Sequence, residues 1–173
     1  GLERNADVVH MATYAPLFAH VEGWQWRPDM IWFDNLNSVR TVSYYVQQLY
    51  GHHKGTNVLS LMMNKKPVTG AEGQNGLFAS AVYDKNKNEI IVKVANTSDR
   101  AQPLSLKFEG LKKQDVLSGG RCIKLRSADP DKDNTIEQPS AIQPQETSVS
   151  IDSQVLSVEL EPKTFAVYIF KKG

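Results

Sequence analysis

The chain has 173 residues, 40% of them hydrophobic, with twenty basic and nineteen acidic side chains and a formal charge of +1. That length suits one well-buried domain plus an appendage and is too short for two ordinary domains. The near-neutral balance gives no field that would recommend nucleic acid or an acidic membrane as partner, and no apolar run approaches the roughly 20 residues that span a bilayer.

The sequence opens at Gly1 inside a helical pattern of Asn5, Ala6, Val8, Val9, Met11 and Ala12, which reads as a piece of a longer protein. Residues 15–21 form a short apolar run opened by Pro16, and Met30, Ile31, Trp32 and Phe33 form a second. Val42, Tyr45, Val46, Leu49 and Tyr50 recur at helical spacing, and Gly51 or Gly55 makes a helix end, predicting a helix over 41–53. His52 and His53 would follow that end, where a cationic ring complements the helix dipole.

After Gly55 the period becomes two. Residues 77–83, 90–95, 104–108, 155–160 and 165–170 are strand candidates separated by Asn, Asp, Gly, Lys and Pro clusters. They predict a mainly β fold, an antiparallel β-sandwich of jelly-roll-like kind. Residues 84–88 are polar, tolerate left-handed backbone and predict an exposed hairpin turn. Gly70, Gly73 and Gly76 depart from phosphate-loop spacings and read as a flexible turn. Residues 127–145 carry almost no apolar side chains and read as a long surface loop. In the last strand Phe165, Val167 and Ile169 share one face and Ala166, Tyr168 and Phe170 the other, so both faces are expected to be covered.

Chemistry-bearing patterns are weak. Cys122 stands alone, with no Cys or His at zinc-like spacing. Asp129, Asp131 and Asp133 alternate as in the opening of a calcium loop, but Asn134 replaces the turn Gly, Ser140 replaces the bidentate Glu and Pro130 restricts the backbone. A plain acidic loop is expected, with neither metal nor cofactor. Scattered histidines make no triad. Glu22 and Asp29 have the composition of a catalytic carboxylate pair, but the usual exposure of acids predicts a solvated or salt-bridged surface role for both.

The stretch "PLFAHVEGWQWRPDMIWFDNLNSVRTVSYYVQQLYGHHKGTNVL" carries Trp26, Pro28 and Asp29, then Ile31 and Phe33, then Ser43, Tyr44, Tyr45, Val46 and Gln47, then Gly55 and Thr56. It closely resembles the region joining the catalytic barrel to the C-terminal β-sandwich in α-L-arabinofuranosidases of glycoside hydrolase family 51. Far downstream, "NTIEQPSAIQPQETSVSIDSQVLSVELEPKTFAVYIF" resembles the family's ending, so the likeness covers nearly the entire chain.

The resemblance implies that residues 1–55 are a remnant of the last βα units of a (β/α)8 barrel and that 56–173 are the C-terminal sandwich. Residues 15–35 would be the last barrel strand and its loop. The family's two catalytic glutamates, about 5 Å apart in retaining enzymes, would lie upstream. No catalytic residue is therefore assigned here, and this chain alone is expected to be inactive. It would be the accessory domain of an enzyme removing terminal arabinofuranosyl residues from poly- or oligosaccharides. Trp24, Trp26 and Asp29 are the residues placed beside substrate in the parent, because active sites of such barrels are built at the loops. For the two Trp, packing between barrel and sandwich is the stronger expectation, since large aromatics dominate interfaces. The implied partners are the upstream barrel, arabinose-containing glycans and a second copy of the chain. Leu17, Phe18, Trp24 and Trp32 would otherwise expose apolar surface unless they fold back on the sandwich. The compartment is undecided from these residues, the resemblance implying a periplasmic or secreted parent. The rival reading is a stand-alone carbohydrate-binding sandwich, disfavoured because all three Trp fall in the N-terminal appendage.

Overall fold

The computed structural model describes residues 1–68, 74–112, 115–117 and 119–173. The glycine turn read at Gly70 and Gly73 lies outside these residues. The chain begins with a 3-10 turn, Glu3–Asn5, and not with the helix that the spacing of 5–12 predicts. Val8 and Met11 are exposed. A helix this short is marginal in water unless its apolar stripe is buried, and nothing in the described structure covers it.

Three short strands follow: β1 (Phe18–His20), β2 (Ile31–Phe33) and β3 (Ser38–Arg40). β1 runs parallel to β2 with Ala19 opposite Trp32, and β3 runs antiparallel to β2. Helix α1 (Val42–His52) matches the predicted helix closely. Thr41 caps it by accepting a hydrogen bond from the Tyr44 amide at 3.3 Å, and Tyr45 and Leu49, one turn apart, form its buried face.

The sandwich is built from β4 (Asn57–Val58), β5 (Met62–Met63), β6 (Lys66–Pro67), β7 (Leu77–Asp84), β8 (Glu89–Asn96), β9 (Gln102–Lys107), β10 (Gly119–Arg126), β11 (Gln145–Ser150), β12 (Val155–Leu160) and β13 (Thr164–Lys171). A six-stranded antiparallel sheet in the order β11-β10-β13-β8-β7-β4 faces the two-stranded antiparallel pair β12-β9 and the hairpin β5-β6. Between them lies the main core, with Tyr168, Phe170, Val92, Cys122, Leu156 and Leu160 deeply buried. The sheet's opposite face carries Ile91, Val167, Ile169, Ile123 and Val82, which pack on Leu49 of α1. β13 is thus covered on both sides, which is why its sequence is apolar at consecutive positions.

Two expectations change. The 84–88 turn forms where predicted, with Lys85, Asn86 and Lys87 exposed and Asn88 at φ +56°, but Asp84 is buried because its Oδ1 accepts the Asn86 amide at 2.9 Å. The loop before β11 is not wholly at the surface, since Asn134 and Ile142 are buried within it.

Candidate functional site

The site is built where the first three strands, the N-terminus of α1 and the loop between β10 and β11 meet. Residues 21–30 leave β1 and return to β2, carrying Trp24, Trp26 and Arg27. Trp32, on β2, is buried against Ala19, Val39 and Ile136. Trp24 meets its ring edge to face at 5.8 Å, and the Arg27 guanidinium lies 4.9 Å from the Trp24 ring and 5.2 Å from that of Trp32. One cation over two rings ties Arg27, Trp24 and Trp32 together.

The β10–β11 loop closes the other side. Oδ1 of Asp133 accepts the Val42 amide at 2.9 Å, a second cap on the helix N-terminus. The side-chain amide of Asn134 donates to the carbonyls of Arg40 (2.9 Å) and Ile142 (2.8 Å), and its Oδ1 accepts the Ile142 amide at 2.7 Å. The acidic run therefore works as scaffolding: Asp129 takes the Asp131 amide at 3.0 Å and Asp133 serves the helix.

These walls line an open cavity of about 670 Å³ bordered by Asp29, Trp32, Val46, Thr97, Ser127 and Phe165 among others. Asp29 is 1% exposed, which overturns the surface role expected of it. Its backbone carbonyl accepts the Thr41 hydroxyl at 2.8 Å, but neither carboxyl oxygen has a hydrogen-bond partner among the described residues. Glu22 is exposed, so the two acids occupy unlike environments. Trp24 and Trp26 are 45% and 60% exposed, Leu17 and Phe18 are exposed, and Trp32 alone of the N-terminal apolar set expected to fold back is buried.

His53 corrects another expectation. Burial, reinforced by the nearby cations of Arg121 and Lys93, lowers its pKa to about 4, so the ring is neutral at pH 7 and does not act as a cation at the helix end. In the unfolded chain an ordinary histidine takes its proton near pH 6.5. Between those values the unfolded state binds more protons, so His53 contributes stability that is present above pH 6.5 and lost as pH falls toward 4. His53→Gln is expected to flatten the decline in urea midpoint between pH 7 and pH 4.5. An unchanged slope would remove His53 as its source.

A helix-backed antiparallel sandwich is preceded by a small mixed sheet, with β1 parallel and β3 antiparallel to β2. Residues 1–164 match the family described as α-L-arabinofuranosidase C-terminal domain. The chain belongs to that family. Among curated relatives, α-L-arabinofuranosidase 1 of Arabidopsis thaliana is 29% identical over 171 residues, covering 97% of this chain and 24% of the relative. The extracellular exo-α-L-arabinofuranosidase of Streptomyces chartreusis is 40% identical over 115 residues, covering 64% of this chain and 13% of the relative. Among solved structures, an arabinose-bound GH51 α-L-arabinofuranosidase superposes with a TM-score of 0.83 at 25% identity, over 99% of this chain and 26% of that one. The α-L-arabinofuranosidase of Thermotoga maritima shares the fold with a TM-score of 0.72, over 96% of this chain and 35% of that one. The chain thus spans about a quarter or less of the curated relatives' length.

Proposed function

We propose that this chain is the accessory, non-catalytic end of an α-L-arabinofuranosidase. Residues 1–55 complete a catalytic barrel and 56–173 form the sandwich that buttresses it. The observation that carries this reading is β1. Among the described residues it is paired on one side only, parallel to β2, and its flank exposes Leu17 and Phe18. An open parallel edge with exposed apolar side chains is suited to continuation by further strands and helices of the same polypeptide. The parent acts on arabinose-containing glycans, with its acid/base and nucleophile upstream. Trp24 and Trp26 are exposed in the loop that follows β1, which supports a contact with the sugar or the barrel rim. A second copy of this chain is a further candidate for the exposed apolar surface.

The test is hydrolysis of 4-nitrophenyl α-L-arabinofuranoside by this chain and by the longer parent, side by side. Activity in the parent alone is the expected result. Turnover by the 173-residue chain would overturn the accessory reading, and silence from both would overturn the assignment of activity.

A further inference from the structure

We propose that Asn96 accepts an N-linked glycan only while the chain is unfolded, and that a glycan attached there excludes the native sandwich. Asn96-Thr97-Ser98 is the single Asn-x-Ser/Thr tripeptide in the sequence, the pattern that an oligosaccharyltransferase reads. Such a tripeptide is ordinarily expected on a surface loop. This one straddles the end of β8, where Thr97 is exposed but Asn96 is only 1% exposed. Its side chain is buried because it closes a corner of the fold. Asn96 stands between β7 and β13, opposite Leu77 and Thr164. The two hydrogens on Nδ2 are shared among the backbone carbonyls of Arg100 (2.8 Å), Leu160 (3.0 Å) and Glu161 (3.0 Å). One amide thus ties the large sheet to the approach to β9 and to the end of β12, across the main core.

Oδ1 of Asn96 accepts the Ser98 amide at 3.1 Å and the Ser98 hydroxyl at 2.7 Å, an Asx turn. The side-chain amide and the hydroxyl that make the acceptor sequence are therefore the groups that the fold itself consumes. The two uses compete. Transfer joins C1 of an oligosaccharide carried on a lipid pyrophosphate to Nδ2; the C–O bond to the pyrophosphate breaks, the lipid pyrophosphate leaves and the nitrogen gives up one proton. The substituted nitrogen keeps one hydrogen for three carbonyls, of which that of Leu160 is buried. The first sugar would also have to enter a site with almost no free surface. Stranding a buried carbonyl and forcing a ring into close packing both disfavour the folded state. In the folded chain, conversely, Nδ2 is closed to the transferase.

The experiment directs the chain through the yeast secretory route behind a cleavable signal sequence. Glycosylated molecules are separated from unmodified ones on a mannose-binding lectin, and Asn96 is read by mass spectrometry. The glycan is expected only on molecules that trypsin digests and that lack a cooperative urea transition, while unmodified molecules resist trypsin and unfold cooperatively. Ser98→Ala removes the acceptor sequence and leaves the three carbonyl bonds of Nδ2. It should raise the trypsin-resistant yield in proportion to the glycosylated fraction it abolishes. Asn134→Ala touches none of the Asn96 bonds but loosens the fold, and should raise the glycosylated fraction. The two populations are compared within the wild-type chain, so the test stands even where Ser98→Ala folds poorly. A glycan at Asn96 on trypsin-resistant, cooperatively unfolding molecules would overturn the proposal, as would its absence from wild type and Asn134→Ala alike.

Discussion

Glu3→Gln is expected to destabilise the chain by about 3–5 kcal/mol, the usual cost of stripping one partner from a buried ion pair. Lys93, on the helix-facing side of β8, is fully buried among apolar neighbours. Its ammonium donates to Glu3 and, at 2.7 Å, to the carbonyl of His53 at the end of α1, and it lies 5.0 Å from the Tyr50 ring. Burial pulls the Lys93 pKa below the usual lysine range, and the bond to Glu3 holds it partly up. Ser80, opposite Lys93 across β7 and β8, donates its hydroxyl to the other oxygen of Glu3. Three parts of the chain therefore meet at one ion pair: the N-terminal turn, the helix end and the central sheet. With Gln in its place, Lys93 keeps its charge with no opposing one, or gives up its proton. The double variant Glu3→Gln/Lys93→Met should recover most of the loss, because an apolar side chain of similar length suits a buried site flanked by Val167 and the Tyr50 ring. Urea unfolding of the two single variants and the double gives the coupling directly. Additive single effects would mean that the pair does not act as a unit.

The same sheet shows what the residues made legible and what they hid. β7, β8 and β13 are readable because burial on both faces forces runs of Val, Ile, Ala and Phe. β10, also central, is missed: it opens with Gly119 and Gly120 and intersperses Arg121, Lys124 and Arg126 among its buried residues. Gly120 is there for space, since a Cβ would lie 2.3 Å from the Ile169 carbonyl oxygen and 2.6 Å from the Phe170 ring. β11 is an edge strand whose side chains are nearly all exposed, so backbone pairing with β10 leaves no hydrophobic signal. The helix predicted over 5–12 is over-read for the opposite reason: its apolar spacing is real, but nothing described packs on it. At the site, Trp24, Trp26 and Asp29 are picked out by sequence, whereas their environments are not. Asp29 is buried beside Thr41, which follows β3 and bonds its carbonyl from twelve positions downstream, and no local pattern encodes that. Asp133 and Asn134 pass for a solvated acidic stretch because their partners, Val42 and Arg40, are equally remote in sequence.

Asn134→Ala is accordingly expected to be costly for a residue in a loop. It removes both donors and the acceptor that tie the loop to β3 and to itself, leaving the carbonyls of Arg40 and Ile142 and the amide of Ile142 without partners. At about 1–3 kcal/mol for each stranded buried group, the loss should reach about 3 kcal/mol or more. For a chain of this length that lowers the thermal midpoint by roughly 6–12 °C. Asn134→Asp keeps an acceptor for the Ile142 amide but cannot donate to either carbonyl, so it should rescue only part of the loss. Asp133→Ala removes one helix cap while Thr41 retains the other, and should cost about 1 kcal/mol. That ranking separates the two roles: Asn134 holds the loop, and Asp133 uses the held loop to end the helix. Because Asn134 holds the loop backbone, Asn134→Ala should loosen it enough for trypsin to cut after the exposed Lys132 under conditions where the wild-type chain resists cleavage there. A thermal midpoint within about 2 °C of wild type, or equal cleavage of both proteins at Lys132, would show that the sandwich and α1 hold this wall in place without Asn134.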